Sequence, residues 1–365
     1  MTDQTSITQR AEESFDGPRM HVPLSHARLP RLAPALSLVG AAALAGVLCV
    51  LADWRLVGFA FFTVVLHLVL ITTWSLAVEN RRAAKDRLMT SLVFSAFAIS
   101  MLPLVSLVYT VLHNGLPAIS ADFLTGNMRN VIGPGGGILH AIVGTLLITL
   151  GAAVISVPIG LMTAIYLVEY AGKGRTARTL TFLVDVMTGI PSIVAGLFAY
   201  ALFSLLFQPG IRIGIGGSVA LSLLMIPVVV RSCEEMLRLV PNDLREAAYA
   251  LGVPKWLTIS KVVVPTALAG IVTGITQALA RVAGEPAPLL IIAGKTDSVN
   301  WHLFSNSPMT TLPVFTYYSY TQPGIPPQFG QERAWGAALV LIVIVMLLNL
   351  VARLVGARFS PKKAR

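Results

Sequence analysis

Charge is scarce in this 365-residue chain: Asp, Glu, Lys and Arg make up 12% of it, against 55% hydrophobic residues. A soluble domain carries roughly 25% charge, so the composition describes an integral membrane protein. Cysteine is nearly absent, with Cys49 and Cys233 alone. They sit near opposite ends of two different apolar runs, which excludes a disulfide or thiolate metal framework. Gly294-Lys295-Thr296 has the ending of a phosphate loop, but position 289 is Leu where that motif requires Gly. The chain therefore has no nucleotide-binding motif and is not expected to be an enzyme. It also has no inverted repeat, which argues against an ion-coupled secondary transporter. No cluster of His, Asp or Lys at one interface suits a membrane enzyme acting on phosphorylated lipids.

What is present is a series of apolar runs: 32–52, 56–78, 88–112, 138–168, 180–207, 217–230, 262–293 and 334–351. Spanning a bilayer takes about 20 residues, so 217–230 must borrow neighbouring residues. Run 262–293 is too long for one straight span and contains Pro286 and Pro288. Basic residues decide the count. Alternate connecting segments hold 21 of the 27 Lys and Arg, the others hold 5, and Arg281 lies inside a run. The positive-inside rule then puts both termini in the cytoplasm with eight spans between them. The net charge of +10 is topogenic rather than a nucleic-acid surface, and it attracts anionic lipid at the inner leaflet. The first run starts after 31 residues and is too long for the apolar region of a cleaved leader.

The expected organisation is all-α, a polytopic transmembrane bundle. Residues 1–31 are expected to form a polar, disordered cytoplasmic tail, and 32–78 an accessory hairpin closed by Asp53-Trp54-Arg55. Residues 79–87 form a charged linker, 88–358 a six-span core, and 359–365 a basic tail. Two longer outer segments stand out: 113–137, with Gly133-Pro134-Gly135-Gly136-Gly137, and 294–333.

The most informative stretch lies on the cytoplasmic side, in a loop of about 231–261. Asn242 or Asp243, following Pro241, can cap a short helix 244–250 with Glu246 early in it. Ala247 and Ala248 leave a smooth surface, and Gly252 suits a C′ position of positive φ. Pro254-Lys255-Trp256 opens a second helical segment whose Trp offers an apolar anchor. Such an element either plugs a groove in another protein or lies on the bilayer surface, and the residues alone leave these readings level.

A second constellation is Arg281 and Glu285, four positions apart and sharing a face on a helix. Charges inside a membrane are costly and face a partner or a water-filled path. The pair reads either as a structural ion pair or as an anion path. In the latter, Arg281 presents its donor fork to an oxyanion and Glu285 holds it. Other intramembrane polar residues read as structural: Asp185 paired with Arg178 or backbone donors, His67 and His140 satisfied packing or headgroup-level residues rather than ligands, Pro191 kinking a helix, and the glycines of 144–160 permitting close packing.

The spacing Glu246-Ala247-Ala248, Gly252, Val262, Val264, Pro265 is similar to the loop motif of ABC importer permeases. Arg281-Val-Ala-Gly-Glu285-Pro286-Ala287-Pro288-Leu289-Leu290 resembles the phosphate-specific permeases of the PstA type. So do Gly144–Tyr170 and Gly189–Phe198, and more weakly Thr311-Leu312-Pro313. The resemblance covers about 88–358. It implies a type I importer permease core of six spans in a bacterial inner membrane, with the 32–78 hairpin added. It further implies ATPase coupling through Glu246, Ala247, Ala248, Gly252 and Trp256, and a substrate path at Arg281 and Glu285.

The implied partners are a PstC-like permease, two copies of a PstB-like ATPase and a PstS-like phosphate-binding protein. ATP and Mg are used by the ATPase, with no cofactor in this chain. Pro286 replaces the family's usual Thr and should end or kink the span, and Ala195 replaces the usual Tyr. Molybdate or sulfate is the alternative substrate, since one Arg does not discriminate among oxyanions.

Overall fold

The computed structural model describes residues 29–30, 32–52, 56–172 and 174–359. The expected N-terminal tail (except Leu29 and Pro30), the Asp53-Trp54-Arg55 connection and the tail from 360 onward lie outside the described residues. Among those described, every regular element is helical. Seven helices are long and apolar enough to cross a membrane, and an eighth crossing is available if one bent pair counts as a span.

The chain divides into two compact units, Met1–Leu107 and Val108–Arg365. The first holds the hairpin, α1 (Ala33–Ala52) and α2 (Leu56–Val78), and the first part of α3 (Arg81–Gly115). Residues 81–87, expected in the linker, are thus the first turns of α3, and only Glu79 and Asn80 separate it from α2. Asn80 caps α3, its Oδ1 accepting the Arg82 and Ala83 N–H groups at 3.0 and 2.9 Å.

Glu79 holds this corner together. Its carboxylate accepts both donors of the Arg87 fork at 2.7 Å, the Ser75 hydroxyl at 2.6 Å and the Leu29 N–H at 2.8 Å. Those hydrogen bonds, Arg87 foremost, lower its pKa from 4.5 to about 2. Across the hairpin, His67 Nδ1 meets the Ser37 hydroxyl at 3.1 Å, so His67 is satisfied by a side chain of the facing helix.

The second unit is built around α8 (Gly214–Arg238), which packs on α5 (Leu139–Ile165), α7 (Ser192–Leu206) and α11 (Val264–Ala283). The run expected at 217–230 has borrowed residues at both ends to make 25. Its core contains Ile148, Leu221, Met225, Val229, Val282 and Leu289. Lipid tails give helices little reason to associate, so close approach and hydrogen bonds do that work. A side chain on Gly160 of α5 would fall 2.6 Å from Val229 Cγ1, and Ser218 of α8 donates to the Ile148 carbonyl at 3.0 Å. The glycines of this helix serve packing, as expected.

Run 180–207 is not one helix. It breaks at 189–191 into α6 (Arg175–Thr188) and α7, bent by 107°. Pro191 therefore turns a corner rather than kinking a helix: it disfavours helical backbone at Ile190 and leads directly into α7. Run 262–293 also divides. α11 stops at Ala283 and α12 (Ala287–Ile292) begins after Pro286, so Pro286 ends the span. α13 (Leu312–Thr321) and α14 (Pro327–Phe359) complete the unit. Thr145 of α5 accepts the Leu312 N–H at 2.7 Å, supplying one of the hydrogen bonds that a helix start lacks. His140 differs from expectation: it is buried against Phe315 in an edge-to-face contact at 5.4 Å, and neither ring nitrogen has a partner among the described residues.

In the connection 116–138, which holds the short α4 (Ala121–Thr125), Gly133, Gly135 and Gly136 all have positive φ. The carbonyls of Gly133 and Gly135 accept Arg333 at 2.9 and 3.0 Å.

Two outcomes follow. A Cβ on Gly196 of α7 would stand 2.6 Å from Pro288 Cα of α12, where backbone has to move. Gly196→Ala should therefore cost about 1–3 kcal/mol, seen as a lower midpoint of thermal unfolding in detergent. Glu79 contributes stability that is complete above its ordinary value of 4.5 and lost as pH falls towards 2. Acid titration of a fluorophore on the hairpin should show a transition in that window, absent in Glu79→Gln.

Candidate functional site: the 242–263 loop and the Arg281 segment

After α8 the chain turns at Leu239–Pro241 into α9 (Asn242–Ala250). A short α10 (Lys255–Thr258) and a π-helical turn, Ile259–Val263, then run directly into α11. α9 starts two residues earlier than expected and has no side-chain cap, with Pro241 at the N-cap position. Asn242 lies inside the first turn, where its Oδ1 accepts Arg245 at 3.3 Å.

The end of α9 is a full Schellman motif. The Gly252 N–H bonds to Tyr249 O at 2.9 Å, the Val253 N–H to Ala248 O at 3.1 Å, and Gly252 has φ +76°. Nothing lies within 4 Å of a Cβ placed there, so backbone conformation alone requires glycine. Pro265, which has no N–H, sits just inside α11. The wider π turn before it, with Val264 N–H reaching Ile259 O, lets the helix continue past the proline.

Glu246 and Ala247 face outward. Ala248 does not: it is buried at 8% exposure, which corrects the smooth Ala247–Ala248 surface expected from sequence. The three-to-four residue period of a nine-residue helix turns this position inward. The outward face carries apolar side chains instead. Leu251 is 83% exposed and Trp256 64%, one on each side of the Gly252 turn.

Arg245, beside the motif, anchors the loop. Its guanidinium pairs with Glu169 at 2.8 Å and donates to Leu237 O at 3.0 Å and Val240 O at 2.6 Å, the last carbonyls of the α8 end. Glu169 lies in a π-helical turn, Tyr166–Tyr170, that continues α5. Lys255 adds to the same place, donating to Glu169 O and lying 4.8 Å over the Tyr170 ring. One side chain thus ties the loop to two membrane helices. Sequence reasoning counted Arg245 only among topogenic charges. The available signal was Glu169, a carboxylate closing a long apolar run and in need of a partner.

A second network lies at the same end of α8. Arg231 pairs with Asp185 of α6 and, at 2.9 Å, with Glu234, which also takes Arg238. Asp185 is therefore held by Arg231, not by Arg178 or backbone donors. The α6–α7 bend carries α6 past α8, which brings Arg231 within reach.

Arg281 and Glu285 are not paired. α11 ends at Ala283, Gly284 is its C-cap, and the Glu285 N–H closes a tight turn onto Val282 O at 3.2 Å. The four-residue spacing is consequently not a helical one. Arg281 is exposed, Glu285 is half-buried, and neither has an ion pair with any described residue. A cation near the end of an apolar helix, with no partner among the described residues, faces water or another molecule.

The arrangement is a structured loop anchored on two spans and continuous with a helix whose last turn carries a guanidinium with no ion pair among the described residues. The family model for binding-protein-dependent transport system inner membrane components matches residues 156–365, and the chain belongs to that family. Its relatives define the branch. The phosphate transport system permease protein PstA 1 of Mycobacterium tuberculosis is 46% identical over 290 residues, 78% of this chain and 92% of the relative. PstA of Mycobacterium leprae is 46% identical over 278 residues, 75% of this chain and 89% of the relative. PstA of Pasteurella multocida is 37% identical over 286 residues, 78% and 97% of the two chains. Within the family the chain groups with the PstA permeases. In fold it is similar to a bacterial ABC transporter involved in the import of the acidic polysaccharide alginate. The TM-score is 0.50 at 12% identity, covering 76% of this chain and 97% of that one.

Removing one partner of a buried pair leaves an uncompensated charge, at a cost of about 3–5 kcal/mol. Arg245→Ala and Glu169→Gln should each loosen the loop, and the double variant should cost less than the sum. A double-mutant cycle on thermal unfolding, with proteolysis at 242–258 as a local readout, measures this.

Proposed function

We propose that this chain is the transmembrane permease subunit of an ATP-driven, binding-protein-dependent importer of inorganic phosphate in a bacterial inner membrane, with both termini cytoplasmic. The observation that carries the reading is Arg281. It is an exposed guanidinium on a membrane helix, with no ion pair among the described residues, on a branch whose relatives are named for phosphate transport. Facing a homologous PstC-like permease, it presents a planar donor fork to a tetrahedral oxyanion. The neighbouring Glu285 carboxylate keeps binding weak enough for release.

ATP and Mg are used by two copies of a PstB-like ATPase, and a PstS-like protein delivers phosphate from outside. The 242–263 loop docks in the ATPase: Leu251 and Trp256 supply apolar contact, and Glu246 and Ala247 line the face between them. Gly252 fixes the angle between α9 and α10, and Ala248 holds the inner face. Because α10, the π turn and α11 are contiguous, displacement of the loop moves α11 and with it Arg281.

Two outcomes test this in liposomes holding the assembled transporter. Arg281→Gln should abolish phosphate uptake, and in the parent sulfate and molybdate should compete poorly. Retained uptake would remove Arg281 from the path, and strong competition would make the substrate another oxyanion. Glu246→Lys should leave insertion intact while uncoupling ATP hydrolysis from uptake. A variant with normal coupled uptake would remove the loop from energy transfer.

A further inference from the structure

At the end of α8 opposite the 242–263 loop, residues 294–311 fold over the start of the helix. The Leu303 carbonyl accepts the Ile215 N–H at 2.9 Å, and a Cβ on Gly214 would fall 3.1 Å from Leu303 Cδ1. Leu303 is thus an anchor, while the aromatic residues around it stay in the open. Trp301 is 63% exposed and Phe304 77%.

The loop is held at its base and at its tip. At the base, the Met309 N–H donates to Ala293 O at 2.9 Å. The Thr310 hydroxyl accepts the Thr296 N–H at 2.6 Å and donates to Thr296 O at 2.8 Å. At the tip, Asn300 Oδ1 accepts the His302 N–H at 3.0 Å, and the Asn300 amide donates to the Ser307 hydroxyl at 2.9 Å. Two large aromatics therefore stand on backbone that is already ordered, which lowers the entropic cost of binding through them.

Their surroundings are basic. Arg212 lies across the base of the loop: a Cβ on Gly294 would meet Arg212 Cδ at 2.8 Å and Pro308 Cβ at 3.3 Å. Lys295 is the next residue, its ammonium 5.4 Å over the Tyr318 ring. Arg129 follows Met128, whose N–H donates to Asp297 O at 3.1 Å. These three cations and Asp297 are all exposed, and none has an ion pair among the described residues. Three cations against one carboxylate leave the patch positive.

Exposed Trp also occurs in belts at the membrane surface, but belts face lipid on the perimeter of a bundle. Among the described residues α8 is the most buried of the membrane-length helices. A loop folded over its end lies over the interior of the second unit, away from lipid.

We propose that 294–311 is the docking surface for an acidic protein on the outer side, the binding protein of the importer. The assignment rests on the function proposed above. Trp301 and Phe304 enter an apolar pocket of that protein, and Arg129, Arg212 and Lys295 meet carboxylates at its edge. Aromatic anchors within a charged rim suit an interface that forms and dissociates, and the rim charges speed encounter. A permanent contact with the second permease would bury mainly apolar surface.

The test uses the assembled transporter in phosphatidylcholine nanodiscs, titrated with a purified, phosphate-loaded PstS-like protein of the same bacterium. ATP hydrolysis by the parent should rise and saturate. Trp301→Ala combined with Phe304→Ala should raise the half-saturating concentration by roughly thirtyfold, the effect of one hot-spot anchor, with an unchanged thermal midpoint. Arg212→Gln combined with Lys295→Gln should slow association severalfold at low salt. That difference should vanish near about 1 M salt, where charges are screened beyond roughly 3 Å. A benzophenone analogue of phenylalanine in place of Phe304 should crosslink to the PstS-like protein on illumination. Parent hydrolysis that ignores the PstS-like protein would overturn the importer reading and this inference with it. A responsive parent with unchanged half-saturation in the aromatic variant would overturn the docking surface alone. So would association indifferent to the two cations, or crosslinking only to lipid or the second permease.

Discussion

A charge carried into a bilayer has three options: an opposite charge in the same chain, water, or another molecule. That constraint organises this structure. Glu79 and Arg87 satisfy each other where the hairpin meets α3. Glu169 and Arg245 do so where the loop meets the core. Asp185, Arg231, Glu234 and Arg238 form one connected set at the end of α8. Each pair joins elements that packing alone would leave loose, because lipid supplies almost no hydrophobic drive between helices. Arg281 on α11 has no ion pair among the described residues. Under the proposed function, that guanidinium faces an anion and a partner subunit.

The class of fold was legible because apolar length is a one-dimensional property. A run of 20 or more residues can be seen without knowing its neighbours, so the hairpin and the long spans α3, α5 and α14 all stood out. The α6–α7 corner was not legible as such. Its apolar run is continuous through Gly189-Ile190-Pro191, and the hydropathy of a bent pair resembles that of a straight helix. Partner assignments failed for a related reason. Asp185 has Arg178 seven residues away and Arg231 46 away, and only the bend decides between them.

The loop shows the same division. Gly252 could be read as a left-handed C′ residue because that requirement is local, and the structure has φ +76° there. Ala248 could not be placed, because inward and outward positions on a nine-residue helix depend on what it rests on. Arg245 was hidden by its usefulness as a topogenic charge. Arg281 was visible as a cost, but its spacing to Glu285 suggested a helical pair that Gly284 and Pro286 prevent.

The continuity of α11 with the loop has a mechanical consequence. From Val264 to Ala283 the helix has 20 residues, a rod about 30 Å long. A rod of that length swings its far end by about 5 Å for each 10° of tilt, close to one helical turn. The π turn at its near end and the Gly284–Pro286 break at its far end bound the stiff part on both sides. Under the proposed function the helix is a lever continuous with the loop, and its length sets the gearing between a small push at the loop and the travel of the guanidinium.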